Sequence, residues 1–128
     1  MPEVVWTATS EYAFVDDKGR PGLVGVFDRF RAFDTPGYTS IFVVSRVAGL
    51  VPGTRAVPGV CEFHAGAATV KVPFAPLNRP VGQSGVAYVL AGIGGVPVRQ
   101  TADLTIRIMV EGAPPYDISL PLAREDNA

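Results

Sequence analysis

The sequence predicts an all-β protein whose strands form a single antiparallel two-sheet β-sandwich. Glycine and proline number 14 and 12 among 128 residues, and they cut the chain into segments too short for a helical bundle. The segments between them are rich in β-branched and aromatic residues, which favour strands. About seven to nine short strands separated by turns are typical of a sandwich, and a closed barrel is the less favoured alternative.

The first two strands are predicted to form a hairpin. Residues 3–15 are rich in valine, threonine and aromatic side chains, and residues 23–31 form a second apolar segment. Between them, residues 16–22 have the composition of a turn. Aspartate there can accept hydrogen bonds from the nearby backbone, and Gly19 can adopt a positive φ.

The middle of the chain predicts three more strands. Residues 40–48 form one, and a loop with two Pro-Gly pairs follows over 49–59. Residues 60–65 and 68–74 then predict a second hairpin, with its turn around Gly66. Another strand is expected over 84–91, after a break at the prolines of 76–80, and a glycine-rich loop over 92–97.

The carboxy-terminal hairpin has the clearest alternation. Apolar and other residues alternate over 104–110, and again over 118–122 after the turn at 112–115. Pro121 places the last strand at a sheet edge, because proline cannot donate to a central ladder. No linker or repeat divides the chain, so we expect one domain over 1–123 and a frayed tail over 124–128.

Composition excludes several classes of protein. An apolar content of 48% argues against disorder, and a formal net charge of −1 argues against a nucleic-acid binder. The single cysteine, Cys61, rules out an intramolecular disulfide framework. The chain shows neither a signal-peptide pattern at its start nor an apolar run long enough for a membrane span. We therefore expect a cytoplasmic protein, or one in an assembly formed in the cytoplasm, that binds neither nucleic acid nor membrane.

The residues that could carry chemistry do not form a convincing site. Cys61 and His64 are the only thiol and imidazole, and on a strand over 60–65 they point to opposite faces. Cys61 then shares the core face with Phe63, whereas His64 shares the other face with Glu62. This arrangement disfavours both a nucleophile–base pair and a zinc site.

Three further patterns are also weak. The segment 82–86 lacks the last glycine of a nucleophile elbow, and 92–95 lacks the helix that a dinucleotide loop requires. Asp16 and Asp17, with Asp103 or Asp117, lack the spacing of a calcium loop. We predict no catalytic residue, metal or cofactor.

An interaction surface is the better supported expectation. The strands over 23–30, 41–44 and 86–91 are apolar on both faces, so either other elements cover one face or it is exposed for a partner. Aromatic rings interleaved with arginines are enriched at the centres of interfaces. We expect a homo-oligomer or partner complex. Its candidate interface residues are Phe27, Arg29, Phe30, Arg31, Phe33, Tyr38 and Phe42.

Several segments carry a resemblance to a known family. EYAFVD at 11–16, KG at 18–19, LVGVFDRF at 23–30 and IFVVSRV at 41–47 resemble a family of uncharacterised bacterial proteins, a domain of unknown function. A closing hairpin such as the one over 104–122 is also typical of that family. The resemblance implies a β-sandwich and brings no known activity or site residue.

The sequence thus favours a non-catalytic binding or protein-interaction module of unassigned role. The alternative is a structural subunit of a larger assembly, such as a coat or decoration protein of a phage-like particle. An enzyme is disfavoured because no set of titratable groups converges.

Overall fold

The computed structural model describes residues 1–26, 30–32, 38–65, 68–97, 104–120 and 122–124. These residues form β-strands and loops. The strands are β1 (Glu3–Val15), β2 (Pro21–Val26), β3 (Phe30–Ala32), β4 (Tyr38–Ala48), β5 (Gly59–Ala65), β6 (Ala68–Pro73), β7 (Ala87–Pro97), β8 (Leu104–Val110), β9 (Tyr116–Leu120) and β10 (Leu122–Arg124).

Two four-stranded antiparallel sheets make up the body of the fold. The front sheet has the strand order β2-β1-β4-β7, and the back sheet has the order β6-β5-β8-β9. The remaining two short strands, β3 and β10, pair in parallel. In the described residues the sheets do not close into a barrel, so the predicted all-β, two-sheet sandwich is confirmed.

The core lies between the two sheets and draws on both. In the back sheet, alternate residues of β5 and β8 point inward, including Cys61, Phe63, Ile106 and Ile108. The predicted alternation over 104–110 is confirmed where side chains are described, because Arg107 and Met109 are exposed. The buried core residues are Ile41, Val43, Val47, Val57, Cys61, Phe63, Val89, Ala91, Ile106, Ile108 and Val110.

Strand β4 is buried on both of its faces. Ile41 and Val43 belong to the core, while Val44, which points to the opposite face of the front sheet, is fully buried as well. The strand lies between β1 and β7, so both of its edges are paired. Burial accounts for the apolar side chains of Ile41, Val43 and Val44, whereas Phe42, on the outer face, is only half-buried.

Two strand predictions need correction. The segment predicted as one strand over 23–31 contains two. Its described residues belong to β2, up to Val26, and to β3, from Phe30, which pairs with β10 instead of continuing the hairpin. The strand expected over 84–91 begins only at Ala87, because Gly85 closes a turn by donating to the carbonyl of Gly82.

The predicted loop over 92–97 is wrong, since β7 continues through it to Pro97. Strand β4 supplies the partner for this extension, with Thr39 opposite Val96 and Phe42 opposite Gly92. The ring of Phe42 fills the space beside Gly92, where a Cβ atom would lie 2.7 Å from a ring carbon. A neighbouring aromatic side chain thus replaces the packing that glycine lacks within a strand.

At the carboxy-terminal end, the predicted hairpin is confirmed as β8 and β9. Strand β9 spans 116–120 and lies at a sheet edge, as predicted, but it starts earlier than the expected 118–122, and Pro121 lies outside the described residues. Strand β10 ends at Arg124, and residues 125–128 of the predicted tail lie outside the described residues. The same is true of Gly66, at the expected turn between β5 and β6.

Candidate functional site

An exposed aromatic surface lies on the outer face of the front sheet, where β1 and β2 form their hairpin. Tyr12 and Val24 are direct cross-strand partners, and Phe14 follows on the same face of β1. The exposed fractions of Tyr12, Phe14 and Val24 are 51%, 43% and 55%. The Tyr12 ring centroid lies 6.1 Å from that of Phe14 and 5.3 Å from that of Phe42 on β4. We call these four residues the aromatic surface.

The turn of the hairpin fixes the position of this surface. Asp16 Oδ1 accepts hydrogen bonds from the backbone N–H of Lys18 (3.0 Å) and of Arg20 (2.7 Å), and its Oδ2 accepts from Arg20 Nε (2.9 Å). The backbone hydrogen bond from Arg20 is the main reason why the pKa of Asp16 is lowered. Gly19 has a φ of 77°, as predicted for this turn.

A second contact anchors the turn to the rest of the protein. The side-chain amide of Asn78 donates hydrogen bonds to the carbonyl oxygens of Val15 and Asp16. Three residues before Asn78, the backbone N–H of Ala75 donates a hydrogen bond to the carbonyl oxygen of Leu90 on β7. The segment 75–78 therefore runs from the edge of the front sheet to the hairpin turn. With Tyr12, Phe14, Phe42 and residues of β7, it lines a cleft of about 330 Å³.

A second aromatic group lies on the same face of the front sheet, beside the clefts next to the hairpin. Trp6 and Tyr88 have ring centroids 5.7 Å apart, and Arg46 lies 5.6 Å above the Tyr88 ring. Arg46 Nη1 also donates a 2.6 Å hydrogen bond to Tyr88 Oη. These side chains are only partly exposed, and Ser10 and Val44, on the same face, are fully buried. The exposed apolar area is therefore concentrated on the hairpin.

The structure brings only one of the predicted interface residues to this surface with a described side chain. Phe42 is half-buried and contacts Tyr12. Phe27, Arg29 and Phe33 lie outside the described residues, and Phe30, Arg31 and Tyr38 are described only as parts of strands. These six residues of the candidate interface stay a prediction.

Sequence reasoning did not single out Tyr12, Phe14 or Val24. Tyr12 and Phe14 are two residues apart on one strand, so their shared face was readable from the sequence. Their exposure was not, because it depends on β2, the neighbour of β1, lying at the sheet edge. Val24 joins them only through the hairpin register.

The outer face of the back sheet is polar and carries a row of alternating charges. Lys71, Glu62, Arg107 and Asp117 lie side by side on the four strands, in that order. Arg107 binds Asp117 through two hydrogen bonds, Nε to Oδ1 at 2.8 Å and Nη2 to Oδ2 at 3.0 Å. Lys71 Nζ lies 4.0 Å from Glu62 Oε2. This face has the alternating signs of a solvated, internally paired surface.

The hydrogen bonds between Arg107 and Asp117 shift the pKa values of both side chains. The side-chain hydrogen bond from Arg107 lowers the pKa of Asp117, and the same bond raises the pKa of Arg107. Asp16 and Asp117, two of the aspartates considered for calcium, are therefore each held by an arginine. Asp103, a third, lies outside the described residues.

Cys61 and His64 lie on opposite faces of β5, as the strand period predicts. Cys61 is fully buried in the core, and burial raises the pKa of its thiol to about 12. His64 Nε2 lies 3.0 Å from Glu62 Oε1, and Nδ1 lies 3.1 Å from Thr69 Oγ1. The thiol and the imidazole cannot act together, because the sheet lies between them.

The described part of the chain contains neither a metal-ligand cluster nor a membrane-spanning helix. No group of three His, Cys, Asp or Glu side chains there is arranged to hold a metal ion. No helix among those residues has the length and apolar character needed to cross a membrane.

Comparison with known proteins provides no relative. No protein-family model, no curated protein and no solved structure matches the chain. The resemblance to bacterial proteins of unknown function stays a prediction.

Proposed function

We propose that the protein is a non-catalytic interaction module that binds a protein partner through the aromatic surface of Tyr12, Phe14, Val24 and Phe42. The observation that carries the proposal is the exposure of three adjacent apolar side chains on one hairpin. Scattered apolar residues are normal on protein surfaces, whereas contiguous exposed ones mark sites of interaction. Of the other exposed large apolar residues in the described chain, Val5 lies near the start of β1, far along the strand from Tyr12, while Val51, Val70 and Met109 lie outside the β1–β2 hairpin.

The rings are held in place, which favours binding. Tyr12 contacts rings on both sides, and Phe14 rests on Gly22 across the hairpin. The hydrogen bonds of Asp16 and Asn78 fix the turn behind them. A surface that is ordered before binding loses little conformational entropy when a partner arrives, so more of the contact energy contributes to affinity.

A second copy of the chain is the partner that the edge of the sheet favours. Strand β2 is an edge strand, and its six residues, Pro21–Val26, include no charged side chain. Proteins commonly protect such edges with charges, because free backbone groups can pair with another strand. Two copies could therefore bring their β2 edges and aromatic surfaces together in one contact.

The same edge supports a second candidate function, a structural subunit of a larger assembly. An uncharged edge and an apolar surface on one hairpin suit repeated contacts between identical subunits. A closed dimer and an extended assembly differ in size, so light scattering separates them.

The experiment compares Phe14→Arg with Met109→Arg, a matched control. Met109 is an exposed apolar residue on the outer face of the back sheet, away from the hairpin. Light scattering over a range of concentrations should show an oligomer for the wild-type protein and the control, and a monomer for Phe14→Arg. Circular dichroism should show β-structure in all three proteins.

A photo-crosslinking amino acid tests partners other than a second copy. Placed at position 14, it should form crosslinked products in cells of the native host, and placed at position 109 it should not. A monomeric wild-type protein that forms no crosslinked product from position 14 would contradict the proposed function.

A further inference from the structure

A second cleft, of about 270 Å³, lies beside the hairpin turn and is lined by cations without any acidic residue. It is formed by the turn between β1 and β2, the segment before β7, and the first residues of β7. Its lining includes Lys18, Arg79 and Tyr88, together with apolar residues such as Leu77 and Val86.

The two cations of this cleft differ in their ion pairing from Arg20, the other basic residue of the turn. Arg20 forms an ion pair with Asp16, with Nε 2.9 Å from Oδ2. In the described part of the chain neither Lys18 nor Arg79 has a carboxylate within ion-pair distance. Arg79 Nη1 instead donates to the backbone carbonyl of Lys18 at 3.2 Å. No described carboxylate therefore neutralises the positive charges of Lys18 and Arg79 in the cleft.

Tyr88, one of the lining residues, carries a phenolic O–H group. Its phenolic oxygen already accepts a hydrogen bond from Arg46 Nη1 at 2.6 Å. A phenol has one O–H hydrogen, and in the described residues that hydrogen has no acceptor. The nearby guanidinium polarises the O–H bond and makes it a better donor to an anion.

The cleft is also organised before any ligand arrives. Asn78 ties the segment before β7 to Val15 and Asp16 at the end of β1. The aliphatic part of Arg79 lies over Gly19, where a Cβ atom would be 3.4 Å from Arg79 Cδ. The walls that carry the two cations are thus joined to each other by direct contacts.

We propose that this cleft binds a small organic anion. Its carboxylate or phosphate group would contact Lys18, Arg79 and Tyr88, and its apolar part would lie against Leu77 and Val86. The volume is below the range of about 300–1,000 Å³ that is usual for drug-sized ligands, so the ligand is a small one. This inference goes beyond the proposed protein interaction and does not depend on it.

The experiment follows amide chemical shifts while benzoate, phenyl phosphate, inorganic phosphate and neutral benzamide are added in turn. We expect shifts around residues 18–19, 78–82 and 86–88 with the organic anions and none with benzamide. Tighter binding of benzoate or of phenyl phosphate identifies the anionic group. Binding should weaken as salt is added, because the contact depends on charge.

Charge-neutral variants test the assignment of residues. Arg79→Gln and Lys18→Gln should each weaken binding of the preferred anion about tenfold. Tyr88→Phe should weaken it less. Arg55→Gln is the matched control, because Arg55 is exposed, lies outside the cleft lining and changes the net charge equally.

Three results would overturn the proposal. They are the absence of shifts with every anion at millimolar concentration, equal binding of benzamide, and equal weakening by Arg55→Gln and Arg79→Gln. The amide spectrum of each variant reports whether it is folded. Loss of the oligomer in Phe14→Arg with anion binding retained would separate this site from the interaction surface.

Discussion

The ring of Phe14 lies directly against Gly22, its cross-strand partner in the β1–β2 hairpin. A Cβ atom on residue 22 would be 2.2 Å from Phe14 Cζ, so the ring occupies the place of the missing side chain. Gly59, at the start of β5, is in a different position. There a Cβ atom would lie 2.1 Å from the carbonyl oxygen of Met109, a backbone atom that cannot turn aside.

These two contacts predict different costs for the same substitution. In Gly22→Ala the half-exposed Phe14 ring can rotate away, and we expect a loss of less than about 1 kcal/mol in the free energy of unfolding. In Gly59→Ala the backbone itself must move, and we expect a loss of about 3 kcal/mol or more. Urea titration measures both. Similar losses in the two variants would contradict the packing described here.

The back sheet predicts an asymmetry between adjacent residues of β8. Ile106 is fully buried in the core, and Ile106→Asp would place an unpaired charge there, at a cost of about 4 kcal/mol or more in the free energy of unfolding. Thr105 lies on the outer face opposite His64, and Thr105→Asp should cost less than about 1 kcal/mol. Denaturant titration of both variants checks the register, and a mild effect of Ile106→Asp would show that it is wrong.

Cys61 predicts a loss of stability in alkaline solution. Burial raises the pKa of its thiol from 9.0 to about 12, so between these values the folded protein keeps a proton that the unfolded chain loses. The unfolded state is therefore favoured as pH rises, with a slope of at most about 1.4 kcal/mol per pH unit from this group. Cys61→Ala should show a shallower decline in the free energy of unfolding above pH 9. Identical declines in the two proteins would exclude this contribution.

Loss of the ion pair of Arg107 and Asp117 should make the fold less stable in acid solution. The side-chain hydrogen bond from Arg107 lowers the pKa of Asp117, so the pair stabilises the fold above the ordinary aspartate pKa and loses this effect as pH falls through the lowered value. In Arg107→Gln the pKa of Asp117 should rise towards the ordinary value of an aspartate, because the hydrogen bond that lowers it is lost. Carboxyl carbon shifts in an NMR titration measure it. The Lys71→Gln variant, whose change lies at the other end of the charge row, should leave that pKa low.

The sequence predicted the back sheet more completely than the front sheet, for a physical reason. Strand β8 has one face in the core and one in solvent, so its alternation reports its orientation directly. Strand β4 has buried residues on both faces, Ile41 and Val43 on one and Val44 on the other, and a uniformly apolar segment does not reveal which face lies in the core. The glycines of 92–97 indicated a loop because the ring of Phe42, which fills the gap beside Gly92, is distant in sequence.

The sequence did not single out the exposed aromatic surface, and six of the seven residues predicted for an interface have no described side chain. Aromatic residues interleaved with arginine pointed to an interaction surface over 27–42, and Phe42 lies at the border of the aromatic surface. The exposure of Tyr12 and Val24 depends on the hairpin register and on β2 being an edge. Local composition records neither property.

The pairing of β3 with β10 determines when one part of the protein can be completed. Phe30 lies opposite Leu122, so an early segment of the chain pairs with a very late one. During synthesis from the amino terminus, the β1–β2 hairpin can form as soon as its own residues emerge, whereas β3 must wait until nearly the whole described chain has been made. The parallel ladder is therefore among the last contacts of the newly made chain, and its formation follows the synthesis of both sheets.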